Sequence, residues 1–328
     1  MSQPASPRPQ KSTTVRAQLS LAMARTRLRL AGFVLADGGA ATATRLFATP
    51  RRFPRPPREH EVLATAERFT VETQPVTDDE PITIPAWRWG RGPTVLLVHG
   101  WEGRGAQLGD LVAPLVAAGL SVVTFDAPAH GDAAGHRLYL TDMANAILAV
   151  AAAVGPLHGV VAHSFGAIAT SLALRRGLVA AHLAYIAPAS LVTSALARFA
   201  AILQLPRETV TTMEHELERI NGFSPSSITP ERLARPETPL LVVHGEADDE
   251  VPIAESRRLT AAWRGSTFLA LPDLGHRRIL RAPLALGPVV RHLTAALPAP
   301  SLAAEPTSHR RPDIDAWVDP IRSDQILR

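Results

Sequence analysis

Two kinds of hydrophobic spacing alternate along the middle of the chain. Short, continuous apolar runs such as Thr94-Val-Leu-Leu-Val-His99 and Ser121-Val-Val-Thr-Phe-Asp126 give way to longer stretches with apolar positions every three or four residues. The runs predict strands buried on both faces, and the periodic stretches predict amphipathic helices. Strands are predicted at 67–72, 82–89, 94–99, 121–126, 159–163, 182–187, 239–244 and 267–271, and helices at 106–118, 141–154 and directly after Ser164. Continuous Val/Leu/Ile strands separated by helices indicate an α/β fold, with a mostly parallel central sheet covered by helices on both faces.

One connection is longer than such a fold needs. Between Ala187 and Pro239 lie about fifty residues, where a loop of a few residues plus one helix would serve. Leu191–Leu205 and Arg207–Ile220 both read as helices, the second with Val210, Met213, Leu217 and Ile220 on one face. A short helical cap inserted at about 188–238 is the economical reading. Phe199, Ile202, Leu203 and Met213 then serve either as the wall of an apolar pocket or as the cap's own core.

The ends differ from this body. Residues 1–60 form a basic helical extension followed by a linker of prolines (Pro50, Pro54, Pro56, Pro57) interleaved with arginines. In the extension Val15, Leu19, Met23, Leu30, Phe33 and Val34 recur at roughly helical spacing among Arg16, Arg25 and Arg29. Such a helix suits an anionic membrane surface, or docking on the body or on a second subunit; alanines dilute its apolar face, which favours docking. Residues 298–328, rich in proline, read as an irregular tail, and the body spans 61–297.

Composition narrows the chemistry. The 328 residues are 46% hydrophobic and 20% charged, enough apolar content for a sizeable core. The absence of cysteine removes disulfides, thiolate catalysis and cysteine-held zinc. The only lysine, Lys11, has no glycine-rich setting, so there is no P-loop. The net charge of +4 is uneven: residues 1–60 carry 11 basic against two acidic side chains, which leaves the rest at −5. A mildly acidic body argues against nucleic acid as its partner.

The longest stretch without a formal charge, Met143–Leu174, exceeds a membrane span in length. Gly155-Pro156 divides it, so it reads as two buried elements and a turn. The apolar stretch from Leu19 to Met23 is too short for a secretory signal, and a cytoplasmic protein, peripheral to a membrane at most, is expected; the arginine-rich start also resembles an organelle transit peptide.

Candidate chemistry sits where strands end. In Val160-Val-Ala-His-Ser-Phe-Gly-Ala167 a serine marks the junction of a buried strand and a helix, with small residues Ala162 and Gly166 two places to either side. A sharp strand-to-helix turn needs small neighbours, exposes the serine oxygen and aims a helix N-terminus at developing negative charge. Three further segments follow strands: His99-Gly100-Trp101, His244-Gly-Glu-Ala-Asp248-Asp-Glu-Val-Pro252 and Leu274-Gly-His276.

Together these segments resemble the alpha/beta-hydrolase superfamily over about 67–296. Ser164 occupies the nucleophile elbow usually written G-x-S-x-G, with Ala162 in place of the first glycine. The resemblance implies a triad of Ser164, Asp248 and His276 in the expected chain order. It implies an oxyanion hole from the backbone N–H groups of Trp101 and Phe165. Asp249 and, more distantly, Asp273 compete for the acid's role. Asp126-Ala-Pro-Ala-His130-Gly131 is similar to the family's D-x-x-G-H-G segment, with Ala129 for glycine and Ala133 for serine; its role there is structural. The implied activity is hydrolysis of a small carboxylic ester through an acyl-enzyme, without metal or cofactor. Alternatives are a thioesterase or acyltransferase on the same triad, or a non-catalytic ligand-binding protein.

Competing chemistries fit less well. Gly103, Gly105 and Gly109 followed by Asp126 mimic a dinucleotide fingerprint, but the glycines start late and the third is one place off. His215-Glu216 lacks the second histidine of a zinc helix, since position 219 is arginine. Relatives with an aspartate nucleophile are disfavoured by Ser164.

Overall fold

The structure is a computed structural model that describes residues 39–78, 80–295 and 297. The amphipathic helix expected near 15–34 and the tail at 298–328 lie outside the described residues. The rest divides into two compact units, one formed by residues up to Ala48 with Thr193–Pro225, the other by Thr49–Val192 with the chain from Ser226 onward.

The larger unit is built on one eight-stranded sheet. In chain order the strands are β1 (Glu67–Thr73), β2 (Ile82–Trp89), β3 (Thr94–Val98), β4 (Ser121–Phe125), β5 (Leu157–His163), β6 (Ala180–Ile186), β7 (Leu240–Gly245) and β8 (Thr267–Leu271). Their spatial order is β1-β2-β4-β3-β5-β6-β7-β8. β1 and β2 pair antiparallel, as do β2 and β4, and every other pairing is parallel. The two early strands therefore form an antiparallel edge on a parallel core.

The apolar runs explain that core. β3 and β4 are buried at every position because a parallel strand with helices on both faces meets no water. Side chains alternate between faces. Val95, Leu97, Val161, Ala184, Ile186, Leu241 and Val243 share one cluster with Leu286, Val289, Val290 and Leu293 of the helix Pro283–Thr294. Leu96, Val98, Val160, Ala162 and Leu183 alternate with them and are fully buried. The helices Leu140–Val154 and Phe165–Arg175 pack on β3 and on each other. Each such Val or Leu contributes about 1.5–3 kcal/mol on burial.

Strand order sets the site. The chain passes from β3 to β4 on one side and then crosses to β5 on the other, so direction reverses at the carboxyl ends of β3 and β5. A crevice opens where neighbouring connections leave a parallel sheet in opposite directions. His99-Gly100-Trp101 follows β3 and Ser164 follows β5, which puts both at this reversal.

Two local readings differ from the structure. The helix expected over 106–118 is a 3-10 helix, Gly105–Leu111, followed by a short α-helix, Val112–Ala117. The Gly105 N–H donates to the Asp126 carboxylate at 2.8 Å, which ties down the start of the segment, and Pro114 falls in the first turn, where a proline is tolerated. Residues 50–57, which read as a linker, lead into a helix, Pro57–Ala64, whose first-position proline loses no helical hydrogen bond. The uncharged run 143–174 resolves into helix, strand and helix, with Gly155 at φ 85° between the first two. Among the described residues no helix is long and apolar enough to cross a membrane.

The smaller unit contains the helices Ala40–Phe47 and Arg207–Asn221 and all but the first residue of Val192–Leu203. Leu196, Leu203, Met213 and Leu217 are buried, and Phe199 meets Phe47 edge-on at 5.1 Å between ring centroids. Phe199 thus packs within this unit, while Ile202 is exposed. The helix Arg207–Asn221 stops at Gly222, whose φ of 81° suits glycine.

Some glycines are dictated by neighbouring backbone. A Cβ on Gly245 would lie 2.1 Å from the Leu274 carbonyl oxygen, so the turn after β7 and the loop carrying His276 touch there. We expect Gly245→Ala to destabilise the fold by about 2 kcal/mol or more, because the obstructing atom is main chain. Urea denaturation of the purified variant measures this.

Candidate active site

The strand-to-helix turn after β5 forces Ser164 into an unusual backbone, φ 52° and ψ −121°. Such a conformation costs a non-glycine residue on the order of 1–3 kcal/mol and persists only where packing over-determines it. The packing is close: a Cβ on Gly166 would lie 2.5 Å from the His99 carbonyl oxygen, and one on Gly100 would lie 2.9 Å from the Ser164 Cβ. Ala162, in place of the family's first glycine, is fully buried in the strand and fits without crowding the turn.

Three side chains distant in the chain meet at this turn. His276 Nε2 lies 2.9 Å from Ser164 Oγ, and His276 Nδ1 lies 2.7 Å from Asp248 Oδ2. An ionised Asp248 accepts only, so Nδ1 carries the proton and Nε2 is left to accept from the serine hydroxyl. Ser164 and His276 are 8% and 6% exposed, and the Asp248 side chain 1%. Of the three acids weighed from sequence, it is Asp248 that meets the histidine; Asp273 lies in a turn and offers its carbonyl to Arg278.

Asp248 is held as an anion. Oδ1 accepts the backbone N–H groups of Glu250 and Val251, each at 2.8 Å. Oδ2 accepts from His276 and lies 3.2 Å from His244 Nε2. Burial alone would push this carboxyl up, but the hydrogen bonds from His244, His276 and Val251 outweigh it and hold the group well below the usual carboxylate range. His244 is itself fixed by Ser256, whose hydroxyl lies 2.6 Å from Nδ1.

The two expected oxyanion donors follow Gly100 and Ser164 in the chain. A Cβ on Gly100 would lie 2.9 Å from the Ser164 Cβ, and the Trp101 and Phe165 rings meet edge-on at 5.7 Å. Phe165 opens the helix Phe165–Arg175, where the first N–H groups have no helical acceptor. Among the described residues, neither the Trp101 nor the Phe165 N–H meets an acceptor.

Three neutral histidines lie at or beyond the carboxyl ends of β3, β4 and β5. The His163 Nε2–H donates to the His276 carbonyl at 3.1 Å, and the two rings lie 4.7 Å apart. His99 Nε2 accepts the Ala127 N–H at 3.0 Å, and His130 Nε2 accepts the Glu102 N–H at 3.1 Å. Burial lowers His99 to about 4, and lowers His130 and His163 to about 3. Asp126 has a structural part: it accepts N–H groups from Gly105 and Asp132, and burial pushes it up.

The glycines that mimicked a dinucleotide loop are accounted for here. The Gly105 N–H already serves Asp126, and a Cβ on that residue would lie 2.5 Å from Thr124 Oγ1. Among the described residues no group of three or more His, Asp or Glu side chains is placed to hold a metal ion.

Comparison with known proteins agrees with this architecture. Residues 95–225 match the family model described as the alpha/beta hydrolase family. Similar solved structures include an esterase from Thermogutta terrifontis with malate bound (17% identity, 69% of this chain and 97% of that one, TM-score 0.52). An esterase from Pyrococcus furiosus is 16% identical over 76% of this chain and 97% of its own, with a TM-score of 0.55. A bromoperoxidase from Bacillus anthracis is 15% identical over 69% and 99%, with a TM-score of 0.54. No curated protein sequence matches the chain. The eight strands, the reversal at β3/β5 and the match over residues 95–225 together show the alpha/beta-hydrolase fold. At such identities the solved structures speak for the fold alone.

Two outcomes follow from the site's backbone and histidines. Ala129 has a φ of 64°, in the left-handed region that the family's glycine would occupy freely. Ala129→Gly should stabilise the protein by about 0.5–1 kcal/mol, the strain relieved less the added chain entropy, seen as a rise in melting temperature. The buried histidines bind protons in the unfolded chain below pH ~6.5 but not in the folded one, so stability falls as pH drops from there toward 4. Each contributes up to about 1.4 kcal/mol per pH unit. Asp248, shifted in the same direction, adds to the loss only below its ordinary range near 4. Urea unfolding from pH 7 to 5 should give a shallower acid limb for His163→Asn than for the native protein.

Proposed function

We propose that this protein is a serine hydrolase that cleaves carboxylic esters. One observation carries the reading: a single imidazole within hydrogen-bond reach of both a serine hydroxyl and a buried, anionic carboxylate. A serine hydroxyl is a weak nucleophile at neutral pH until a base takes its proton in the transition state. His276 Nε2 is the base, and Asp248 fixes its tautomer and stabilises the imidazolium that forms.

The steps follow from this geometry. Ser164 Oγ attacks the ester carbonyl carbon as its proton passes to His276. The carbonyl oxygen takes negative charge and is received by the Trp101 and Phe165 N–H groups at the helix N-terminus. Collapse breaks the C–O bond, and His276 delivers the proton to the departing alcohol. Water, deprotonated by His276, then attacks the acyl-serine and releases the acid. The two esterases of similar fold support the choice of bond, while the bromoperoxidase shows that the fold alone does not decide it.

Labelling with a fluorophosphonate followed by peptide mapping tests the nucleophile, and nitrophenyl esters and acyl thioesters of increasing chain length test the substrate. Ser164 should be the labelled residue, and Ser164→Ala should lose labelling and turnover while keeping its melting temperature. Asp248→Asn should lower kcat by about 10⁴-fold, since the amide favours the wrong tautomer of His276. Ester turnover retained by Ser164→Ala would exclude this mechanism. Thioesters cleaved well ahead of esters would move the assignment to a thioesterase on the same triad.

A further inference from the structure

The proline- and arginine-rich stretch before the helix Pro57–Ala64 is more than a tether. Its side chains are spent on the loops that carry the site. Arg52 donates to the carbonyls of Gly131, Ala133 and Gly135, and Arg55 pairs with Asp132 at 2.8 Å and Asp126 at 3.1 Å. Glu59 pairs with Arg104, both buried. Arg51 reaches closest to the chemistry: its guanidinium grips both oxygens of Glu102, Nε and Nη2 at 2.7 Å each, and its own backbone N–H adds a contact at 3.2 Å.

Glu102 follows Trp101 and has a φ of 55°, a strained value for a glutamate. Its backbone N–H is held by His130 Nε2 and its carboxylate, only 11% exposed, by Arg51. A second ion pair, Arg277 with Glu250 at 3.0 Å, acts on the first: Arg277 favours the ionised Glu102, and Glu250 favours the ionised Arg51. Arg277 follows His276, and the Glu250 N–H is one of the donors to Asp248. The stretch is thus tied to the loop after β3, and a neighbouring ion pair joins the loops after β7 and β8.

We propose that Arg51 and Glu102 are positioning residues: segment 49–59 clamps the loop after His99-Gly100 into the shape that keeps the Trp101 N–H beside Ser164. A lone exposed ion pair does little. This one is bidentate, seats a carboxylate that is mostly covered, and opposes backbone strain one residue from an oxyanion donor. The clamp stands on the contacts alone, whereas its effect on rate rests on the hydrolase reading. A donor moved out of line weakens binding of the transition state rather than of the ester, so kcat falls and KM does not.

The experiment compares the full-length protein with Arg51→Met, Glu102→Gln, the double variant and Arg51→Lys. It uses hydrogen–deuterium exchange of amides 101–105, ester kinetics, and the endpoint of fluorophosphonate labelling as a count of intact sites. Both single variants should exchange faster in that loop, with β3 and β5 unchanged. They should lose roughly tenfold in kcat, short of the ~100- to 1000-fold for outright loss of a donor, at constant KM and full labelling. The double variant should be no worse than either single, as expected for one shared interaction. Arg51→Lys, which keeps the charge without the fork, should fall between and covers the case of a single variant that fails to fold. Loop exchange equal to the native protein's overturns the proposal. So does faster exchange with kcat unchanged, or a loss of rate matched by a loss of labelled sites. A native protein silent to esters and probe would sink the hydrolase reading instead, and the exchange result would still judge the clamp.

Discussion

The tightest constraint in the molecule is the lack of room at the turn after β5. Ser164 is bent to φ 52° because β5 must stop at His163 while the next helix starts at Phe165. The turn presses on Gly100, and Gly166 presses on the carbonyl of His99. A larger residue at 100 or 166 would have to displace the serine or the end of β3. The cost of the bent serine, on the order of 1–3 kcal/mol, is small against the burial of the β3/β5 pair on both faces. That contact holds positions 100 and 166 to glycine and fixes the start of the helix beside the end of β3.

Two buried aspartates show how surroundings decide the fate of the same group. Asp248 receives two backbone N–H groups and two imidazoles, a donor set that outweighs its burial and keeps it charged. Asp126 also receives two backbone N–H groups and an arginine, yet burial dominates there and pushes it up. The first is suited to hold and charge-balance an imidazole through a reaction. The second ties the 3-10 helix, the loop at 131–132 and the arginine-rich stretch together, and Gly131 leaves it space: a Cβ there would lie 2.0 Å from its oxygen.

Much of this was legible in the sequence, and for a physical reason. Buried parallel strands must be continuously apolar, so β3 to β7 announce themselves, and the segments at their carboxyl ends are then confined to one rim. That is why Ser164 stood out at a strand's end, while Asp248 and His276 were named through the resemblance to the alpha/beta-hydrolase superfamily. What was not legible depends on partners distant in the chain. His163 reads as an ordinary strand-end residue until its ring is seen to hold the carbonyl of His276. His244 reads as part of a turn motif until it is found against Asp248. The positive φ of Glu102 leaves no mark on composition, while that of Ala129 had a faint one, a glycine expected at that place.

The charge pattern has a related explanation. Eleven basic side chains against two acidic ones before residue 61 read as an extension suited to an anionic membrane surface or, in preference, to docking on the body or a second subunit. Arg51, Arg52 and Arg55 are engaged internally, by two aspartates, a glutamate and three carbonyls that lie beyond residue 100. The acidic excess of the body and the basic excess of the stretch before it are, at these positions, two sides of one set of contacts. A net charge summed over a window measures attraction to a partner only when the opposite charge is not already on the same chain. Here the partner is the rim of the protein's own site, and the arginines are better understood as part of how that rim keeps its shape than as a surface awaiting a ligand.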